Sequence, residues 1–248
     1  MQNFDLSLLN TEAEPLDPLE SMEPEEERQP PDPEEMLRLL DSPDTPQRTI
    51  AARAFCEMKE PRAIPRLIEL LEDPCVLVRV SAAYALGRNP SPEAVESSIR
   101  RLDVDWNGYV RKGIVWALGN CRDRRALEPL VTALRTDIPA VRLWAASSLG
   151  QMAKVSFETV IGAVPPTIQA LRQDPIAAVR SNCAWALGQL CRELPSNAVY
   201  AGAIDGLIEA LEEDEDMGVR EDARSSLLRL GDPRGLQAIE ALEAEGWI

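Results

Sequence analysis

One block of sequence recurs along this chain. It reads DWNGYVRKGIVWALGN at Asp105–Asn120, DPIAAVRSNCAWALGQ at Asp174–Gln189 and, more loosely, DPCVLVRVSAAYALGR at Asp73–Arg88. Aligned on its arginine, the block falls at Arg48, Arg79, Arg111, Arg142, Arg180 and Arg220, with spacings of 31, 32, 31, 38 and 40 residues. A period of that length restricts the chain to stacked supersecondary units. Each unit is too small to bury its own apolar face, so neighbours must bury it.

Val78, Val110, Val141, Val179 and Val219 precede the last five arginines. An acid stands five or six residues before the same five, at Asp73, Asp105, Asp137, Asp174 and Asp214. Leu86, Leu118, Leu149, Leu187 and Leu227 follow, with Gly87, Gly119, Gly150 and Gly188 next in four of the units. Ahead of the acid, AIPRLIELL (63–71), ALEPLVTALR (126–135) and AIDGLIEALE (203–212) carry apolar residues at helical spacing. Each unit therefore reads as two helices joined by a short turn that holds the Asp. The second helix is expected to begin near Val-Arg and to end on Gly in a left-handed cap. The extra residues before Arg180 and Arg220 read as insertions of about two helical turns.

The D-x5-R turn followed by A-x2-A-L-G is the HEAT-repeat signature. The expected fold is all-α, an α-solenoid of about six HEAT repeats over residues 33–248. Residues 1–32 form an acidic, Pro-rich tail expected to be disordered, because it has too little apolar surface to offset chain entropy. Within it, Phe4-Asp5-Leu6-Ser7-Leu8-Leu9 is open to two further readings, docking on a partner or folding back on the chain.

Composition narrows the function. The net charge is −16, and residues 1–33 contribute ten acids against one base. Such a chain is a poor match for nucleic acid, which needs a clustered basic face. Histidine is absent, which excludes Ser-His-Asp and Cys-His catalysis and histidine-ligated metal. The five cysteines, Cys56, Cys75, Cys121, Cys183 and Cys191, lack C-x-x-C spacing, so neither a disulfide framework nor a zinc knuckle is expected. Cys183 and Cys121 fall on the core side of their helices, and Cys75 is expected to be the most exposed thiol. With no secretory leader and no long apolar run, the chain reads as soluble and cytoplasmic.

The repeated Asp and Arg are expected to form a structural ladder, each Arg bridging its own Asp and the neighbouring repeat. Its members are Asp73, Arg79, Asp105, Arg111, Asp137, Arg142, Asp174, Arg180, Asp214 and Arg220. At about 100° per residue from the Val of Val-Arg, the core face of the second helix centres near 50°. The slot five after Arg holds Tyr84, Trp116, Ser147 and Trp185 and lies near 240°, opposite the core. Trp144 falls beside it. So does the slot nine after Arg, which holds Arg88, Asn120, Gln151 and Gln189. Lys112, Gly113, Ser181 and Asn182 share the wall, with Trp106, Asn107 and Tyr109 at its rim. Two roles are open to the aromatic slot: packing on the adjacent repeat, or a binding hot spot with polar neighbours. On the second, Gly113 admits a ligand or a partner backbone.

The strings AARAFCEM (51–58), VRVSAAYALGRNPSP (78–92), DWNGYVRKGIVWALGNCRD (105–123) and AVRSNCAWALGQL (178–190) resemble the cyanobacterial HEAT-repeat proteins of the CpcE/CpcF/NblB phycobilin lyase-like group. They are most similar to its IaiH-like branch, whose members are associated with the iron–sulfur carrier IscA. The resemblance implies two functions. One is a non-catalytic adaptor or scaffold that holds a partner protein in the aromatic groove. That partner would be an IscA-like carrier, and an iron–sulfur cluster could be shared with it. The other is a bilin-binding phycobilin lyase-type subunit or phycobilisome-associated chaperone acting with a phycobiliprotein. In it Arg88 or Lys112 would pair the propionates of the bilin. The adaptor is the expectation carried forward.

Overall fold

The computed structural model describes residues 31–246, so the acidic tail and its FDLSLL segment lie outside the described residues. Thirteen helices are present among them. Twelve form six consecutive pairs: α1 (Pro33–Leu39) with α2 (Thr45–Ala54), α3 (Ile64–Leu70) with α4 (Val76–Arg88), and α5 (Val95–Val104) with α6 (Gly108–Cys121). The pairs continue with α7 (Leu127–Thr136) and α8 (Pro139–Gln151), α9 (Phe157–Gln173) and α10 (Ala177–Leu190), and α11 (Ala198–Glu213) and α12 (Met217–Leu230). A thirteenth helix, α13 (Pro233–Glu245), packs on α11 and α12 and covers the last pair.

The insertions lengthen first helices. α9 has 17 residues and α11 has 16, against 10 in α5 and α7. Pro65 stands in the first turn of α3, where a missing N–H costs nothing. Pro166 holds the same place, eight residues before the turn Asp, but α9 begins earlier and leaves it inside the helix.

The core is aliphatic. Leu67, Leu71, Val78, Ala82 and Leu86 in the second repeat are almost wholly buried, as are Val110, Ile114 and Leu118 in the third. The second helices α2, α4, α6, α8, α10 and α12 pack side by side along the array. In the N-terminal half the first helices are less closely joined: α3 and α5 meet the next repeat through its short 3-10 turn. Closer approach in one layer bends the stack toward that layer.

Glycine makes that approach possible. The ALG glycines do not cap their helices. Among the described residues, positive φ occurs only at Arg122, Gly231 and Gly246. α6 runs on to Cys121, past Gly119. Instead, each glycine faces the second helix of the next repeat. A Cβ on Gly87 would lie 2.2 Å from Cε3 of Trp116, and one on Gly150 would lie 2.6 Å from Cζ3 of Trp185. Gly119 meets Ser148 in the same way, and Gly188 meets Ser226. Where the partner is serine, its hydroxyl donates across the junction: Ser148 to the Val115 carbonyl and Ser226 to that of Ala184, both at 3.0 Å.

The ladder departs from expectation in its wiring and its burial. Each Arg reaches the carboxylate of the next repeat, not of its own. Arg48 binds Asp73, Arg79 binds Asp105, Arg111 binds Asp137, Arg142 binds Asp174 and Arg180 binds Asp214, all at 2.6–2.8 Å. Its own turn offers only backbone: Arg79 donates to the Asp73 carbonyl, Arg111 to Asp105, Arg142 to Asp137 and Arg180 to Asp174. The Asp carboxylate also accepts from its own turn, as Asp105 does from the Asn107 N–H at 2.8 Å. Arg220 donates to the Leu211 carbonyl. These are not surface pairs. The Arg79 and Asp105 side chains are 4% and 0% exposed.

Candidate functional site

The second-helix layer carries the aromatic slot. Tyr84, Trp116 and Trp185 are partly buried there, as is Trp144. Trp116 lies over Gly87 and Trp185 over Gly150. Of the two roles left open by the sequence, packing on the adjacent repeat is therefore met by both rings. One part of each ring fills the gap left by a glycine of the preceding repeat, and part remains accessible. Tyr84 and Trp116 form a tilted ring pair, with centroids 5.8 Å apart and planes at 39°. Lys112 places its ammonium 5.3 Å from the Trp144 ring centroid, a cation–π contact. Burial raises the Tyr84 phenol above its ordinary range, with Cys56 adding to the effect, so the hydroxyl keeps its proton.

Several neighbours serve the fold. Asn120 donates to the Gly87 carbonyl at 2.9 Å and ties α6 to α4. Asn182 donates to Ala178 of its own helix. Gly113 is buried, with the Tyr84 ring and Ala83 against it, so the group it admits is Tyr84 and not a ligand. Asn107 is the N-cap of α6 and accepts from the Tyr109 and Val110 N–H groups. Gln151 and Gln189 are partly buried on the same face. Arg88 is exposed and has no carboxylate partner among the described residues. Trp106 and Tyr109 stand apart from the packed rings, 75% and 70% exposed at the turn.

Two residues outside the expected site set also belong to this face, Arg53, which the sequence places in the slot at one end of the array, and Asn89. Arg53 occupies the aromatic slot in the first repeat, is exposed and has no carboxylate partner among the described residues. Asn89 is buried beneath the wall. It donates to the Phe55, Met58 and Ala85 carbonyls, accepts from Glu60 and joins the first two repeats. Its signal was an asparagine directly after a helix end, where a side-chain amide can take up free carbonyls.

The thiols are held back. Cys183 and Cys191 are buried, and Cys56, Cys75 and Cys121 are partly buried, so Cys75 does not stand out as the exposed one. Burial pushes the Cys191 thiol up to about 12 and that of Cys56 up to about 11. It raises Cys183 and Cys121 as well. The thiolate is the reactive form, so iodoacetamide at about pH 8 should leave Cys183 and Cys191 unmodified until urea unfolds the chain. Mass spectrometry of the labelled peptides checks this, and labelling of Cys183 in the folded protein would contradict it. No group of three Cys, Asp or Glu residues is placed to hold a metal ion among the described residues. No helix there is long and apolar enough to cross a membrane.

Comparison with known proteins agrees with the repeat fold. The HEAT repeats family matches residues 33–104, 95–157 and 164–246. The bilin biosynthesis protein RpcF of Synechococcus sp. (strain WH8020) is 38% identical over 112 residues, covering 44% of this chain and 51% of that protein. The chain thus matches about half the length of that curated relative. Among solved structures, the complex of CpcE and CpcF of phycocyanin lyase from Nostoc sp. PCC7120 is similar at a TM-score of 0.59 and 26% identity, covering 88% of this chain and 84% of that one. A designed armadillo repeat protein in complex with the peptide (KR)4 shares the fold at a TM-score of 0.59 and 21% identity, over 80% of this chain and 98% of that one.

Proposed function

The chain belongs to the HEAT-repeat family, and on that premise we propose that it acts as a phycobilin lyase-type subunit. It holds a linear tetrapyrrole against the aromatic strip of its second-helix layer for a phycobiliprotein partner. Similarity to RpcF and to the CpcE–CpcF complex supports this reading over the adaptor expected from sequence. The observation that carries it is the Tyr84–Trp116 ring pair, with unpaired Arg88 one turn along α4. A linear tetrapyrrole offers an extended π-face and two propionates. Aromatic faces take the first, and an unpaired guanidinium takes a carboxylate in a charge-assisted pair. The protonated Tyr84 hydroxyl can donate to a pyrrole lactam or carboxylate oxygen.

Titration with phycocyanobilin tests the reading. Binding should quench tryptophan fluorescence and induce red absorbance. Trp116→Ala combined with Trp185→Ala should weaken it about tenfold or more. Trp116→Phe, which keeps a ring over Gly87, should retain most of the affinity, and thermal melts exclude unfolding as the cause. No induced absorbance in the wild-type protein would remove the bilin from this face.

A second reading is the adaptor, in which the same face receives a folded partner such as an IscA-like iron–sulfur carrier. It is favoured by how firmly the rings are seated, which gives a rigid wall suited to a protein surface. Cys183 and Cys191 are buried, and burial raises both thiols, so on this reading any cluster stays with the carrier. Iron and sulfide analysis after anaerobic co-purification separates the two readings.

A further inference from the structure

The strip does not include the most exposed apolar side chains. Those line another part of the surface, the edge formed by the turns between the two helices of each repeat. Leu77, Trp106, Tyr109 and Met217 there are 63%, 75%, 70% and 61% exposed, with Ile138 at 47% and Ile176 at 39%. Each lies two to five residues before a ladder arginine, so the edge presents about one such position per repeat from the second to the sixth. The row is continuous at its centre: a Cβ on Gly108 would lie 2.4 Å from Cδ1 of Ile138, which therefore rests on the Asn107–Tyr109 turn. Beside Ile138 opens a cleft of about 360 Å³, walled by Leu102, Pro129 and Ala133 and edged by Asp103.

We infer that this edge is a docking surface for an amphipathic helix of a partner protein, one whose apolar side chains are flanked by lysine or arginine. Spacing selects the helix. Neighbouring repeats sit about 8–10 Å apart at their helix contacts, and residues i and i+7 of an α-helix rise about 10.5 Å on one face. A strand offers same-face steps of about 6.7 or 13 Å, and neither keeps pace with the repeats. Charge selects the flanks. The ladder arginines are withdrawn, with Arg79 4% and Arg111 17% exposed, which leaves Arg135 and Arg172 as exposed bases beside the turns. Exposed carboxylates outnumber them: Glu72 is 65% exposed although it pairs with Arg101, Glu215 is 88% exposed beside Arg180, and Asp103, Glu212, Glu213 and Asp216 are exposed as well. A second copy would bring the same sign to the contact. So would residues 1–33, with ten acids and one base. This surface is independent of the bilin reading.

The test uses the full-length protein and a fluorescein-labelled synthetic helical peptide with leucine at i, i+7 and i+14 and lysine beside each. A scrambled peptide of the same composition is the control. Fluorescence anisotropy should show saturable binding of the first peptide only, weakened by salt. Trp106→Ser with Tyr109→Ser should weaken it about tenfold or more, and Asp103→Lys should weaken it as well. These side chains are exposed, so melting temperatures should hold. Equal binding of both peptides, or an unchanged double variant, overturns the proposal. So does wild-type self-association, seen by sedimentation, that Trp106→Ser with Tyr109→Ser abolishes, since a second copy then occupies the edge. A gain in peptide affinity on Phe4→Ser with Leu8→Ser overturns it in favour of the chain's own tail.

Discussion

Asp105→Ala is expected to cost about 3–5 kcal/mol of stability, the penalty for stranding a buried ionic partner. Asp105 accepts from Arg79 through Nε and Nη2 at 2.8 and 3.3 Å, from Arg101 at 2.7 Å and from the Asn107 N–H at 2.8 Å. Removing it leaves the buried Arg79 guanidinium without a carboxylate at the junction of the second and third repeats, and Arg101 with Glu72 alone. Urea denaturation at neutral pH measures the loss. Arg172→Ala serves as the contrast. Its pair with Glu209 is 42% and 44% exposed, and its loss should cost under about 1 kcal/mol. Similar losses for the two variants would mean that the ladder is not a buried network.

The pH dependence carries the same signature. Burial raises the Asp105 carboxyl, but the Arg79, Asn107 and Arg101 donors more than offset it and hold the carboxyl below its usual 3.8. A group depressed on folding stabilises above its unfolded value, and that contribution is lost as pH falls through the folded value. Asp105→Asn should therefore be weaker than wild type at neutral pH, with the gap closing on acidification below the ordinary carboxylate range. Asp214, likewise lowered beside Arg180 despite burial, adds to the acid sensitivity of the wild type.

Gly87→Ala is expected to cost about 1–3 kcal/mol, the range for overpacking, and to move Trp116. The new Cβ would stand 2.2 and 2.3 Å from Cε3 and Cζ3 of that ring. The ring must swing outward or α4 and α6 must part, and both disturb the Tyr84 pair. Trp116→Ala in the same chain should relieve the clash, so the double mutant should be less destabilised than the sum of the singles. Gly119→Ala should cost more and resist such rescue, because its Cβ would meet the Ser148 Cα at 2.9 Å, and truncating a side chain does not move backbone. Denaturation with tryptophan fluorescence reads both effects. Unchanged stability and emission in Gly87→Ala would mean that the two helices are not in close contact.

The glycines show where reading the sequence stopped. A glycine after a helical run serves either as a left-handed cap or as a place where another backbone comes close, and local sequence does not separate the two. Only the facing helix does. The pairing was nonetheless written in the chain. Tyr84-Ala85, Trp116-Ala117 and Trp185-Ala186 alternate in part with Ser147-Ser148 and Ser225-Ser226. A ring covers the preceding glycine at Trp116 and Trp185, and a serine covers it at Ser148 and Ser226. Asn107 and Asn120 have a structural role that the sequence did not show, for a related reason. A polar side chain on an open face reads as a contact for a partner, yet here each satisfies backbone groups at a helix start or across a repeat junction. The last helix, α13, carries no ladder arginine and so lay outside the alignment that defined the repeats.

The period, the two-helix unit, the number of repeats and the aliphatic core were determined by sequence alone. Each depends on spacing within one unit, and spacing survives without coordinates. The tertiary structure decided which repeat each Arg grips, that its charge pairs are buried, and that the aromatic rings fill glycine gaps while keeping part of their surface open. It also set the exposed turn edge apart from the strip. Those properties belong to the contact between neighbouring repeats, and one strand of sequence does not record which surfaces meet there.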